Sequence, residues 1–108
     1  MGEVIRINSE EDFEDYMNEN KDWYHRLCYE KIYNNFYGEH ADVVEIIVFL
    51  IDDNPDTEYV ISVDKEDFEL NLTYGLSYFE DIEDYEMCTK VNDLISNINL
   101  YNGLSELK

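Results

Sequence analysis

Hydrophobic and polar positions follow two different periods along this chain, and each period predicts its own kind of element. Phe13, Tyr16 and Met17 recur at spacings of three and four, which predicts a helix from about Glu10 to Asn20. A second helix, from Trp23 to Tyr37, is predicted from apolar residues that repeat every four positions: Tyr24, Cys28, Ile32 and Phe36.

The middle of the chain has the period of strands. Val43 to Ile51 is almost wholly apolar and rich in β-branched residues, which predicts a central strand covered on both faces. Glu58 to Val63 alternates and predicts the next strand, and Phe68 to Tyr74 alternates in the same way and predicts a third. Glu3 to Ile7 is short and β-branched, as in an edge strand.

Helical spacing returns near the C-terminus. Met87, Val91 and Leu94 lie on one stripe, which predicts a helix from about Asp84 to Tyr101 that Asn102-Gly103 closes. We therefore predict one acidic α+β domain over residues 1–108. Its expected architecture is a small three- to four-stranded antiparallel sheet with helices packed on one face.

Charge changes this picture more than any motif does. The chain has 27 aspartates and glutamates against 7 lysines and arginines, a formal net charge of -20. Such a polyanion is not expected to bind nucleic acid or an anionic membrane directly, so the expected partner is a basic protein. A surface kept acidic for solubility is the alternative. An acidic disordered tail is disfavoured, because 44% of the residues are hydrophobic and 15% are aromatic.

Two segments concentrate the acids. The first is the turn after the central strand, and the second precedes the last helix. Like charges about 7 Å apart in water repel by roughly 0.6 kcal/mol per pair, so the fold itself gains little from such clusters. Acids at a helix N-terminus stabilise the helix, but this effect accounts for only part of the second segment. We predict that the partner contacts these acids and their neighbouring tyrosines: Asp52, Asp53, Asp56, Glu58, Tyr59, Glu80, Asp81, Glu83, Asp84, Tyr85 and Glu86.

Catalytic and metal-binding signals are weak. The chain has two histidines, and it has no HExxH motif, nucleophile elbow or glycine-rich phosphate loop. Oxygen-bearing side chains fall at alternate positions, as in the first half of an EF-hand loop: Asp52, Asn54, Asp56 and Glu58. However, Thr57 replaces the required glycine, Pro55 intrudes, and Val63 replaces the closing glutamate. We predict a protein that is not an enzyme and has no cofactor or metal.

The remaining signals concern location. Cys28 and Cys88 are not in CxxC spacing, and each lies among apolar neighbours, which predicts buried free thiols in a reducing compartment. The N-terminus lacks the basic and apolar regions of a signal peptide, and the longest apolar run, Ile46 to Ile51, is too short to span a membrane. We predict a cytoplasmic protein of a bacterial host cell.

An apolar strand, an acidic turn and the sequence Glu58-Tyr59-Val60-Ile61-Ser62 are followed later by a segment rich in acids and tyrosines. This combination resembles the small acidic phage anti-CRISPR proteins. The resemblance implies a non-catalytic, DNA-mimicking inhibitor of a type II RNA-guided nuclease. Members of that family occupy the site where arginines of the nuclease read the protospacer-adjacent motif. The acids of the turn and of the segment before the last helix would then face the nuclease.

Two other functions remain open from the sequence. One is an immunity protein that neutralises a bacterial nuclease toxin, for which the physical requirements are the same. The other is an acidic adaptor domain that binds a basic protein. The chain is expected to be a monomer or a homodimer, since its tyrosine-rich surface offers material for a further interface.

Overall fold

The structure, a computed structural model, describes residues 2–106. It comprises three strands and four helices in the order β1 (Glu3–Ile7), α1 (Asp12–Glu19), α2 (Lys21–Asn34), β2 (Val43–Ile51), β3 (Glu58–Asp64), α3 (Phe68–Asp81) and α4 (Tyr85–Glu106). A π-helical segment, Asn35–Glu39, extends α2, and a short 3-10 turn, Lys65–Asp67, leads into α3. The predicted α+β class and the two N-terminal helices are confirmed.

The three strands form a mixed sheet in the order β1-β2-β3. The central position predicted for β2 is confirmed, and β3 pairs with it antiparallel. The prediction of an antiparallel sheet is wrong for β1, which runs parallel to β2. The reason is the connection: α1 and α2 carry the chain back to the starting end of the sheet, so β2 begins beside the start of β1.

The predicted third strand from Phe68 to Tyr74 is also wrong. This segment is the first half of α3, and its buried residues are Phe68, Leu72, Gly75 and Phe79. Leu70 and Tyr74, which belonged to the alternating pattern, are 53% and 62% exposed. Helical spacing therefore determines which side chains enter the core.

One face of the sheet is covered by helices. Ile47, Phe49 and Ile51 of β2 are no more than 2% exposed. Phe13 and Tyr16 of α1 pack edge-on against Phe49, with ring centroids 4.9 and 5.6 Å away. The prediction of helices on one face is confirmed, and the hydrophobic core lies between this face and the helices.

The other face of the sheet is open to solvent, so the expectation that β2 is covered on both sides is wrong. The strand register places Val4, Val48 and Val60 opposite one another in one row across the sheet. Val4 is 57% exposed and Val60 is 43% exposed. We refer to this surface as the open face. It differs from the covered face in that no described helix lies over it.

The last helix starts where the sequence predicts and ends later. It begins at Tyr85 and continues through Asn102-Gly103 to Glu106, so the predicted closure at Asn102-Gly103 is wrong. Val91, Leu94 and Ile98 are buried along its length. Isolated glycine in a helix costs about 1 kcal/mol relative to alanine. Burial of apolar residues along the helix can offset this cost.

Both cysteines are free and buried, as predicted. Removal from water disfavours the thiolate, and this burial raises the pKa of Cys28 to about 11.

Neighbouring residues on β2 should respond differently to truncation. We expect Phe49→Ala to lower the free energy of unfolding by about 3–5 kcal/mol, because it empties a fully buried site. Leu50→Ala, on the open face, should cost about 1 kcal/mol or less. Urea denaturation of both variants measures the difference. Equal losses would contradict the assignment of an open face.

Candidate functional site

The acidic turn between β2 and β3 is fixed to the end of β1. The backbone N–H of Asp52 donates to the carbonyl oxygen of Ile7 at 3.0 Å, and that of Asp53 donates to the carbonyl oxygen of Asn8 at 3.0 Å. These two bonds continue the strand pairing beyond Ile7. The turn therefore presents its side chains from a defined backbone.

The predicted acids of this turn all lie at the surface. Asp52, Asp53, Asp56 and Glu58 are exposed. Arg6 reaches Asp52 with its Nη1 3.2 Å from Oδ1, and both side chains are largely exposed. Among residues 2–106, the carboxylates of Asp53, Asp56 and Glu58 have no hydrogen-bond or ion-pair partner. They are available to an external cation.

Helix α1 brings further acids to the same end of the molecule. Arg6 lines a groove of about 420 Å³ together with Asp12, Asp15 and Glu19 of α1. The same arginine contacts Asp52, so the turn and the helix adjoin. We call this surface the acidic end and define it by its exposed carboxylates: Glu10, Glu11, Asp15, Glu19, Asp52, Asp53, Asp56 and Glu58.

The α1 members of this surface were not among the predicted site residues. Their pattern was visible in the sequence, since Glu11, Asp15 and Glu19 recur every four residues on the polar side of a predicted helix. The missing information was which strand end α1 lies beside. That placement depends on the parallel pairing of β1.

Tyr59 belongs to the acidic end as well. It is 40% exposed, opposite Phe49 in the strand register. Interaction of its hydroxyl with the carboxylate of Glu10 raises the pKa of Tyr59. Glu10 lies two residues before the start of α1, and the aromatic ring of Tyr59 remains accessible beside the acids.

The second predicted segment surrounds the junction of α3 and α4. Glu80, Asp81, Glu83, Tyr85 and Glu86 are exposed, and Tyr85 is 66% exposed. Glu83 has a left-handed backbone, with φ of 61°. The N–H groups of the residues after Ile82 bond back to the end of α3, from Glu83 to the oxygen of Glu80 and from Asp84 to that of Phe79. This arrangement is a Schellman motif.

Asp84 has a structural role in this segment. Its Oδ1 accepts the backbone N–H of Met87 at 3.2 Å, which caps α4, and its Oδ2 lies 2.6 Å from Nη2 of Arg26. Arg26 also binds Asp22, with Nε 2.7 Å from Oδ2. The guanidinium lies 5.2 Å from the ring centroid of Phe79. Arg26 thus connects α2, α3 and the start of α4.

These contacts shift pKa values. Hydrogen bonding to Arg26 holds the pKa of Asp22 and of Asp84 below the ordinary carboxyl value. Tyr78 donates to Asp22 Oδ1 at 3.2 Å, which adds to the effect on Asp22. The ionised form of both acids is favoured in the folded protein.

The structure does not join the two predicted segments by a direct contact. The hydrogen bonds and ion pairs of the turn lead to β1, whereas those of the segment before α4 lead to the first turns of α2 and α4. They are two separate acidic surfaces. Helix α1 adds carboxylates to the first surface, and Asp22 of α2 lies beside the second.

Histidines and metal-ligating residues are dispersed. His25 is half-buried and stacks on Tyr78 with ring centroids 4.7 Å apart, and burial lowers its pKa. His40 is exposed, at the end of the π-helical segment. Within residues 2–106, no three histidine, cysteine, aspartate or glutamate side chains are placed to hold a metal ion.

Comparison with known proteins gives no relative: no family model matches the chain, and no curated protein or solved structure matches it. In the described part of the chain, no helix is both long and apolar enough to cross a membrane.

Loss of the Arg26 contacts should reduce stability in a pH-dependent way. Because Asp22 and Asp84 have lowered pKa values in the folded protein, their contribution is complete above the ordinary carboxyl pKa of 3.8 and is lost as pH falls through the folded values. After discounting for solvent exposure, the Asp22 pair contributes about 0.5 kcal/mol. We expect Arg26→Met to lower the melting temperature at pH 7 and to lower it less near pH 3.

The measurement is the difference in melting temperature between wild type and Arg26→Met across this pH range. Taking the difference cancels the general effect of protonating the other acids. Arg6→Met, which loses one exposed pair, is the control and should show a smaller difference at pH 7. A difference for Arg26→Met that does not depend on pH would contradict the role of the two ionised acids.

Proposed function

We propose that this protein is a non-catalytic inhibitor that occupies the basic nucleic-acid-binding site of a nuclease, and that it acts as an anti-CRISPR against a type II RNA-guided nuclease. The observation that carries the proposal is the acidic end. Its carboxylates come from a fixed turn and an adjoining helix, and most of them have no cation of their own. A surface of this kind is suited to meet lysines and arginines.

Carboxylates in a regular row support mimicry of a nucleic acid, and their spacing is somewhat wider than the rise per phosphate along B-DNA. Phosphates along one strand of B-DNA are about 3.4 Å apart along the helix axis. Side chains one turn apart on a helix, such as Glu11, Asp15 and Glu19, are about 5–6 Å apart, and the turn adds carboxylates beside them. A basic cleft can then exchange phosphate contacts for carboxylate contacts, with the same counterion release and electrostatic steering.

Arginines that read guanines form bidentate hydrogen bonds, and a carboxylate accepts the same geometry from a guanidinium. Tyr59 adds an exposed ring and a hydroxyl where a base would lie. Aromatic residues next to charged ones are frequent at the centres of protein interfaces. These features, together with the resemblance of the β2–β3 hairpin to the anti-CRISPR proteins, favour a DNA-reading nuclease as the protein that is inhibited.

An immunity protein against a nuclease toxin would use the same surface chemistry. The experiment below separates the two functions through the identity of the nuclease that is bound.

The test is binding of the purified protein to a guide-loaded type II nuclease, with and without target DNA, at low salt and at about 0.15 M salt. We expect tight binding that target DNA competes away and that weakens as the salt concentration rises. Failure to bind several such nucleases would overturn the anti-CRISPR assignment. Binding that is indifferent to target DNA would overturn mimicry at the DNA site.

Two variants with the same change in net charge test which acidic surface binds the nuclease. Asp53→Asn/Asp56→Asn/Glu58→Gln neutralises the turn, and Glu80→Gln/Asp81→Asn/Glu83→Gln neutralises the segment before α4. All six residues are exposed, so both variants should fold. We expect the first to weaken nuclease binding about tenfold or more and the second to weaken it about threefold or less. Equal losses would show that net charge acts without a localised site.

A further inference from the structure

A cleft of about 440 Å³ lies at the end of the β2–β3 hairpin that is opposite to the acidic turn. Asp42, just before β2, and Lys65, just after β3, line it, whereas the acidic turn joins the end of β2 to the start of β3. The length of β2 places the two ends about 26 Å apart. The cleft has the volume of a small-molecule site and is separate from the surface assigned to the nuclease.

One wall of the cleft is held in shape from within the core. Asn35, which is 3% exposed, donates from its side-chain amide to the carbonyl oxygen of Ala41 at 3.0 Å. Its amide oxygen accepts the backbone N–H of Ala41 at 2.9 Å. The chain between them turns at His40, whose φ of 56° is uncommon outside glycine. These contacts fix the wall, so the cleft is formed before a ligand enters it.

Apolar and aromatic side chains form the interior of the cleft. Phe68 and Ile98 are each 4% exposed, whereas Tyr101 is 56% exposed. The half-buried ring of Phe36 lies 5.8 Å from the ring of Tyr101, and the two planes meet at 86°. Two rings at nearly right angles are related as adjoining walls of a box are. Aromatic rings grouped in this way bind alkylated ammonium groups, because their faces carry negative electrostatic potential.

The charges around the cleft favour a cation. The lysine that lines it is already paired, since Nζ of Lys65 lies 3.0 Å from Oδ1 of Asp42. Glu66 also lines the cleft, and within residues 2–106 its carboxylate has no hydrogen-bond or ion-pair partner. Hydrogen bonding to Asp42 raises the pKa of Lys65, and the proximity of Glu66 and Tyr101 adds to the effect. An anionic ligand would instead meet Glu66 and a chain with a net charge of -20.

We propose that this cleft binds a small organic cation of the alkylated ammonium class, with its charged group against the rings of Phe36 and Tyr101 and near the carboxylate of Glu66. The apolar interior at Phe68 and Ile98 receives the rest of the molecule. This site works independently of the acidic end, so its test does not depend on the identity of the inhibited nuclease.

The first test compares choline with the neutral alcohol in which a tert-butyl group replaces the trimethylammonium group. The two compounds have nearly the same shape and differ in charge. Each is titrated into the full-length protein at about 0.15 M salt, which weakens general attraction to the acidic surface. We expect choline to bind at least about fivefold more tightly. Equal affinities, or no saturable binding of choline, would overturn the proposal.

NMR on the unaltered protein locates the bound cation. We expect choline to shift the methyl signals of Ile98 and the ring signals of Phe36 and Tyr101, which line the cleft. The methyl signals of Val60, on the open face, should remain nearly unchanged. Shifts confined to Tyr59 and its neighbours at the acidic end would show general attraction of cations to a polyanion and would overturn the proposal.

Two pairs of matched variants separate the rings from the charge. Tyr101→Leu should weaken choline binding about fivefold, whereas Tyr74→Leu, at a position outside the cleft that is 62% exposed, should change it about twofold or less. Glu66→Gln should weaken it about threefold, and Glu14→Gln, on α1, should have little effect. All four residues are exposed, so the variants should fold. Equal effects within each pair would overturn the proposal.

The same chemical group can come from a free compound or from a protein side chain. A short peptide with one trimethylated lysine between glycines distinguishes the two sources. Binding of the peptide that is tighter than that of choline, and that Tyr101→Leu weakens, would assign the cleft to a side chain of a partner protein. Weaker binding would assign it to a free compound.

Discussion

Burial of one face of β2 against the helices opposes a large electrostatic self-repulsion. Ile47, Phe49 and Ile51 are removed from water almost completely, and each fully buried aliphatic or aromatic side chain contributes about 1.5–3 kcal/mol. Five of the six described lysines and arginines form ion pairs within the molecule: Arg6, Arg26, Lys31, Lys65 and Lys90. The remaining carboxylates at the surface are therefore left without compensation. The excess of carboxylates that destabilises the fold by repulsion also makes its acidic surfaces available to other molecules.

Much of the fold could be predicted from the sequence because its elements have clear periods. The boundaries of β2 agree with the apolar run Val43–Ile51, and α1 and α2 lie within or close to the predicted ranges. The segment from Phe68 to Tyr74 could not be resolved in this way. Phe68 and Leu72 satisfy both a period of two and a spacing of four, and Leu70 and Tyr74 are apolar residues on the solvent side of α3. Only the later positions, Gly75 and Phe79, distinguish the helix.

The candidate site was predictable in part for the same reason. The turn acids follow directly from a short connection between two strands, and their exposure agrees with that interpretation. The contribution of α1 could not be predicted, because it depends on β1 lying parallel to β2 and on the groove that this pairing creates beside Arg6. The structural role of Asp84 could not be predicted from the sequence either. Its partner Arg26 is distant in sequence, on a helix whose packing is set by the tertiary fold.

The parallel placement of β1 also has a consequence for the order of folding. β2 and β3 are joined by a short turn, whereas β1 and β2 are separated by the whole helical crossover. Closing the longer loop costs more chain entropy, so we expect β1 to pair after the β2–β3 hairpin has formed. Because the backbone of β1 also holds the N–H groups of Asp52 and Asp53, the acidic turn acquires its final shape only when this late pairing is complete.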